Sequence, residues 1–262
     1  MQRVAGLVAT GGGERQGEAE TDLPAHEWHH PAIRKALFIG SAAAAAAWWT
    51  PALAPIVPAV AGVLGLPRRI DDPVGAALTF DDGPHPQGTP AVLEALQLAD
   101  ADATFFLCGE QVERESALVR EIVAAGHTPA LHGYRHRNML RLAPRTFVDD
   151  LERGIAAIED AVGQRPALYR PPYGIFSYPG MVEVSARGLR SLLWSHWGHD
   201  WRAGRSPASI AAEVTEELEG GDVLLLHDAD HYSEPGCWRG TVAALPAVVE
   251  RIRARGLRPV AV

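Results

Sequence analysis

Gly75–Pro86, GAALTFDDGPHP, sets a run of small, apolar and β-branched residues directly against two carboxylates, a glycine and two prolines. The first half reads as a buried strand and the second as the turn that ends it. From Val74 onward the same alternation recurs. Short β-like runs (ATFFLC, HTPALH, ALYRP, LRSLLWS, DVLLLH and LRPVAV) are separated by longer stretches of helical period: TPAVLEALQLA, QVERESALVREIVAAG, RTFVDDLERGIAAIEDAVG, YPGMVEVSARG, SPASIAAEVTEELEGG and TVAALPAVVERIRARG. Strands that are apolar on both faces and alternate with helices imply a parallel sheet covered by helices. About seven such units predict an α/β fold, a distorted (β/α) barrel of about seven parallel strands; periodicity alone also accommodates a doubly wound open sheet. Thr89 and Ser206, each before a proline and an apolar run, are expected to cap the helices they precede.

The chain has 262 residues, 47% of them apolar, enough for a full core. Its net charge of −8 argues against nucleic acid as a partner, because phosphate binding wants a basic face. Two cysteines, Cys108 and Cys237, are too few for a disulfide framework and are expected to be unpaired thiols. Residues 1–31 read as a disordered tail and 32–70 as an apolar, membrane-associated segment. The third part, 71–262, carries the alternating strands and helices and is the expected folded domain. Between Ala36 and Pro67 no residue is charged, while Arg34, Lys35, Arg68 and Arg69 flank the stretch. That exceeds the about 20 apolar residues a membrane span needs, so 36–67 is the expected membrane contact. Prolines 51, 55 and 58 favour a kinked span or re-entrant hairpin over one straight helix. The competing readings are a cleaved signal peptide, hence secretion, and an apolar helix pair packed on the domain.

In a parallel barrel the loops at the C-terminal ends of the strands share one face, where active sites form. Those ends carry Asp81 and Asp82, His132 and His136, Arg170 to Gly174, Asp200 with Trp201, and His227 with Asp228. Two imidazoles four residues apart, placed on a helical turn, can clasp a divalent ion with a carboxylate completing the set. Gly133 stands where the H-E-x-x-H motif has its general base, so the base must come from elsewhere, and the Asp81–Asp82 doublet supplies it. One aspartate would hold the ion while its neighbour takes a proton; spacing does not say which is which. Arg170, in RPPYG, can keep that base ionised, and His227 can act as a general acid if Asp200 raises its pKa.

TFDDGP, HGYRH, RPPYG, DW and LLLHD, in this order, resemble the polysaccharide deacetylase family, the NodB-homology domain of carbohydrate esterase family four. The resemblance runs from Pro73 to Val262. It implies Asp81 as general base and Asp82, His132 and His136 as ligands of one divalent ion, zinc or a relative such as cobalt. It further implies Arg170 as the residue orienting Asp81, the Tyr173 backbone N–H as an oxyanion donor, His227 as general acid and Asp200 as its tuner. Leu225, Trp201 and Pro171 would contact the substrate, an N-acetylated glycan, and the reaction would be hydrolysis of its N-acetyl groups. Anchoring would place the catalytic domain on the extracytoplasmic side.

The chain departs from the family's pattern at Gly133, where Ser or Thr is usual, and at Leu131, where Asn is common. WSHWGHDW puts His196, Trp197 and His199 where the family's commoner form has an Asp in the middle, and DADHYSEPGCW follows the strand that ends in His227. A metal-independent C–N hydrolase on the same fold and an inactive glycan-binding module are the alternatives.

Overall fold

A computed structural model describes residues 48–262. These residues belong to one compact unit. A 3-10 turn, Thr50–Leu53, and helix α1, Pro58–Leu64, precede the strands β1 (Gly75–Asp81), β2 (Thr104–Leu107), β3 (Thr128–Leu131) and β4 (Leu168–Tyr169). β5 (Arg190–Ser191), β6 (His196–Trp197), β7 (Val223–His227) and β8 (Arg258–Val260) follow. The covering helices are α2 (Gly88–Leu98), α3 (Gly109–Arg114), α4 (Ser116–Ala124), α5 (Pro144–Val162), α6 (Tyr178–Ala186), α7 (Pro207–Val214) and α8 (Trp238–Ala254). β1, β2 and β7 are buried along their whole length, which is why they read as unbroken apolar runs.

All strand pairings are parallel, in the order β5-β4-β3-β2-β1-β7-β6, with β8 added beside the first residues of β1. The path begins at β5 and ends at β6, elements only four residues apart in the chain. Between them Leu192–Ser195 crosses without a ladder joining β5 to β6 among the described residues, so the sheet is a half-barrel with one open seam. Buried backbone carbonyls at such a seam need other donors. Arg170 provides them: its Nε donates to Leu192 O at 3.0 Å and its Nη2 to Leu193 O at 2.9 Å. From below, Leu193 N donates to Pro67 O at 2.9 Å, and Arg68 Nε to Trp194 O at 2.9 Å.

The expected run LRSLLWS therefore divides into β5 and the connection to β6, a strand the sequence pattern did not foretell. QVERESALVREIVAAG breaks at Glu115 into α3 and α4. Ser206 caps α7 in a capping box with Ser209, as expected. Thr89 does not cap α2: the helix starts at Gly88, and Thr89 Oγ1 instead accepts from His85 N at 2.7 Å and donates to Asp228. Both cysteines are free thiols.

Residues 1–47, which include the expected tail and Ala36–Ala47 of the apolar segment, lie outside the described residues. From Trp48 to Pro67 the chain lies along the domain, burying Pro51, Ala54, Pro55, Ala61 and Leu66. No helix among the described residues is long and apolar enough to cross a membrane.

Helix α5 backs the loop that leaves β3, and Gly154 lets it approach. A Cβ there would meet Leu131 Cδ1 at 2.7 Å and Tyr134 N at 3.1 Å. Gly154→Ala gains helix propensity of about 1 kcal/mol but overpacks a site with a backbone wall. We expect a net loss of about 1–3 kcal/mol, read as a lower urea midpoint at unchanged slope.

Candidate active site

β1 and β7 run side by side in a register that sets Asp81 opposite His227. The next residue, Asp82, has φ +81°, a left-handed backbone that residues other than glycine seldom adopt and that marks functional turns. There the chain reverses, and the two carboxylates meet different partners. Asp81 Oδ1 accepts from Arg170 Nη1 at 2.7 Å; the same Nη1 donates to Thr79 Oγ1 at 2.9 Å. Asp81 and Arg170 are both buried. Burial pushes the Asp81 carboxyl up, against the pull of the guanidinium, so the group is a stronger base than a solvated aspartate while still ion-paired.

Asp82 Oδ1 lies 3.5 Å from His132 Nε2 and 3.3 Å from His136 Nε2. None of these approaches is a hydrogen bond, and Asp82 Oδ1 is buried without a hydrogen-bond partner among the described residues. Ligands of a tetrahedral ion at about 2.0–2.1 Å stand about 3.3–3.4 Å from one another, so the spacing is that of donors around a cation. The protonation states agree. Burial holds His136 neutral, its pKa lowered to about 3, and keeps His132 well below the usual imidazole range. His132 Nδ1 meets Arg170 O at 2.9 Å; donating there leaves the Nε2 lone pair facing Asp82. Burial, with Asp81, Asp228 and Asp200 nearby, raises Asp82 to about 7 despite the opposing charge of His227, an environment a cation would relieve. The residues therefore fit a metal ion.

His132 and His136 do not share a helical turn, contrary to expectation. They lie on the loop after β3, where Gly133 at φ +87° reverses the backbone and brings the rings to 5.3 Å. Asp150, on α5, accepts from Tyr134 N at 2.8 Å and braces this loop. A side chain at Gly133 would have to adopt that left-handed backbone, with its Cβ 3.3 Å from Arg135 O.

Across the site, His227 Nδ1 meets Asp200 Oδ1 at 3.0 Å, while Asp200 Oδ2 accepts from His227 N and Thr241 Oγ1, both at 2.7 Å. Burial disfavours the charged imidazole, but Asp200, followed by Asp82 and Asp81, overrides it and raises His227 to about 9. Rings then run in contact from Trp194 through Trp197, His199 and Trp201 to His227, with centroids 5.0–5.7 Å apart.

A cavity of about 240 Å³ joins both halves. Asp81, Asp82, His132, His136, Tyr173, Trp201, Leu225 and His227 line it, as their sequence positions suggested. Arg170 and Asp200 stand behind it. Pro171 is buried beside Arg170 and is not among the lining residues. Tyr173 has φ +61°, and Gly174 is squeezed between Trp194 and Pro55, whose atoms would lie 2.6 and 2.8 Å from a Cβ.

Tyr232 and Ser233 are lining residues that sequence reasoning missed, and Tyr232 is the one with a defined set of partners. Its ring stacks on His136 at 4.5 Å, and its hydroxyl donates to Glu110 Oε1 and accepts from Gln111 Nε2. The available signal was the insert after β7, which had to emerge at the strand-end face. A second cluster, His85, Asp230 and His231, lacks the chemistry of a metal site. His85 Nδ1 accepts from Gly88 N at 2.8 Å, so in the neutral ring the proton sits on Nε2, facing Asp230 at 3.1 Å as a donor.

Comparison with known proteins identifies the family. A family model described as polysaccharide deacetylase matches residues 70–190. The chain is 34% identical over 188 residues to a peptidoglycan-N-acetylglucosamine deacetylase of Bacillus cereus, an alignment covering 71% of this chain and 85% of the relative. It is 34% identical over 202 residues to a chitooligosaccharide deacetylase of Azorhizobium caulinodans, covering 74% and 96%. Among solved structures, a family 4 carbohydrate esterase from Streptomyces lividans, in complex with acetate, superposes with a TM-score of 0.64 at 32% identity, covering 71% of this chain and 92% of that one.

Metal uptake tests the Asp82–His132–His136 assignment. The purified chain, dialysed against zinc or cobalt and assayed by mass spectrometry, is expected to retain one ion per chain. His136→Ala should retain far less, and Asp81→Asn should retain the ion. Equal retention by His136→Ala and the parent would remove the assignment.

Proposed function

The chain belongs to the polysaccharide deacetylase family of hydrolases, and we propose that it removes N-acetyl groups from N-acetylhexosamine units of a cell-envelope polysaccharide or related glycan, releasing acetate. The observation that carries the reading is the facing pair of proton-transfer groups on neighbouring strands, Asp81 held by Arg170 and His227 held by Asp200, on either side of one cavity. Amide hydrolysis needs both: a base to take a proton from the attacking water and an acid to give one to the departing nitrogen.

Asp82, His132 and His136 would hold a divalent ion, zinc in this proposal, which when bound would supply Lewis-acid chemistry toward a water and the acetamide carbonyl. Asp81 takes the water's proton while Arg170 holds the carboxylate in one orientation. The backbone N–H of Tyr173, at the cavity rim, donates to the developing oxyanion. His227, protonated at neutral pH, delivers its proton to the amine nitrogen as the C–N bond breaks. The products are acetate and a free amino sugar. Leu225 and Trp201 bound the space for the acetyl methyl, and the other tryptophans offer flat apolar faces suited to a sugar ring. The uncharged segment 36–67 attaches the protein to the membrane, with the catalytic domain on the extracytoplasmic side, where envelope glycans lie.

Asp81→Asn is expected to lower kcat for acetate release from chitooligosaccharides by about 10²–10⁴-fold. No release of acetate by the parent from chitooligosaccharides or peptidoglycan, with zinc or cobalt supplied, would refute the function. The general acid works in its protonated form, so activity is lost as pH rises through the pKa of His227. Asp200 holds that pKa up. Asp200→Asn should therefore shift the alkaline limb of the kcat/KM profile to lower pH. A limb that stays in place would detach His227 from the acid role.

A further inference from the structure

Four of the large apolar side chains most open to water stand within fifteen residues of chain: Trp49 (56% exposed), Leu53 (46%), Ile56 (64%) and Val63 (87%). Leu53 and Val63 lie on the 3-10 turn and α1, Trp49 and Ile56 on the chain beside them, in a segment that buries Pro51, Ala54 and Ala61 against the domain. The segment that carries them is itself uncharged, since Trp48 to Pro67 contains no Asp, Glu, Lys or Arg; the nearest charges, Arg68, Arg69 and Asp222, line the groove beside α1. A soluble protein scatters such residues singly; a contiguous uncharged group of them marks a contact surface. We propose that this outer face is a lipid-docking surface, seating the domain on a bilayer with the mouth of the active site at headgroup level.

Three observations choose lipid as the occupant. Ala36–Ala47, the twelve residues immediately before the face, are also uncharged and lead directly into it. Trp48–Pro67 is folded along the domain, with one side buried and the other open, the placement of a segment that lies in the interface plane. Trp48 and Trp49 stand at the start of the face, and tryptophan favours the boundary between headgroups and acyl chains. The face is also coupled to the site: Pro55, in the same segment, packs against Gly174 beside Tyr173 at the cavity rim. Docking would thus bring the cavity to sugars held close to the membrane, such as a lipid-linked glycan. That consequence for the substrate rests on the deacetylase reading; the docking surface does not.

The test is flotation of the full chain with phosphatidylcholine vesicles in low and high salt. Contact through the apolar side chains of an uncharged segment predicts binding that needs no anionic lipid and survives salt. In the triple variant Trp49→Ser, Ile56→Ser, Val63→Ser the partition coefficient should fall at least about tenfold. Leu98→Ser, which changes an equally exposed leucine on α2, should bind like the parent. Acetate release from soluble chitooligosaccharides should be the same in parent and triple variant, which shows that the variant is folded. Undiminished binding by the triple variant, or no binding by the parent, would overturn the proposal. So would a parent that dimerises in sedimentation without touching vesicles while the triple variant stays monomeric, because the occupant would then be a second copy. Absence of acetate release from every protein, with the vesicle pattern intact, would count against the enzymatic reading alone.

Discussion

A guanidinium buried without exposure to water must have each of its nitrogens engaged, and Arg170 meets that demand by tying the open seam to β1. Four of its five N–H groups donate to Leu192 O and Leu193 O on the open seam, Thr79 Oγ1 inside β1, and Asp81 at the strand's end. The aromatic face of Phe106 lies 3.9 Å below its carbon. One side chain thereby substitutes for the missing β5–β6 ladder and fixes the orientation of the candidate base. Its own carbonyl accepts from His132, so the same residue sets the tautomer of a candidate ligand. A lysine could not reproduce this, since its three donors diverge from a point instead of lying in a plane. Half-barrel closure and base positioning are in this sense one structural feature.

Much of this was legible along the chain because the signals are local. β1 and β7 read correctly as apolar runs, and Asp81, Asp82 and His227 follow from where those runs stop. Ser206 announced its cap through its own neighbours. What escaped was set by contacts distant in sequence. Thr89 has the residue type and the following proline of a helix cap, yet its hydroxyl serves the buried carboxylate of Asp228, 139 residues away. The split of LRSLLWS is invisible in its composition, because Leu192 and Leu193 are as apolar as strand residues; their carbonyls are claimed by Arg170 instead of a neighbouring strand. His132 and His136 were found by spacing but for a mistaken reason, a helical turn, whereas Gly133 in a left-handed conformation does the bringing together. Tyr232 could not be placed from sequence because its role depends on Glu110 and Gln111 across the mouth.

The resemblance to polysaccharide deacetylases implies the roles that spacing left open within the Asp81–Asp82 doublet, and the geometry gives the two carboxylates different partners. Asp81 is the last residue of β1, in strand register with His227, and its carboxylate points to Arg170. Asp82 is past the strand, in a backbone conformation that costs about 1–3 kcal/mol for a residue with a Cβ. Asparagine or glycine would relieve that strain and lose the charge. The chain tolerates the strain where it yields a carboxylate aimed at two neutral imidazoles.

Charge balance in the buried site explains why the doublet is tolerable. Four carboxylates, Asp81, Asp82, Asp200 and Asp228, are buried within mutual reach. Arg170 offsets one, and His227, held protonated by Asp200, offsets a second. Two negative charges remain, and low dielectric makes like charges expensive there. Protons can cover the excess, which is what carboxyl groups raised to about 7 at Asp82 and Asp228 express. A dication covers it as well, and only the Asp82 end of the pair also offers two imidazole lone pairs at 3.3 and 3.5 Å from its oxygen. Asp228 has instead the hydroxyl of Thr89 and the close approach of Gly83, where any Cβ would strike its carboxylate. The same excess of charge is therefore met at one end by a candidate metal site and at the other by a packed hydrogen bond, which is why one sequence stretch, Asp81 to Thr89, serves both chemistry and support.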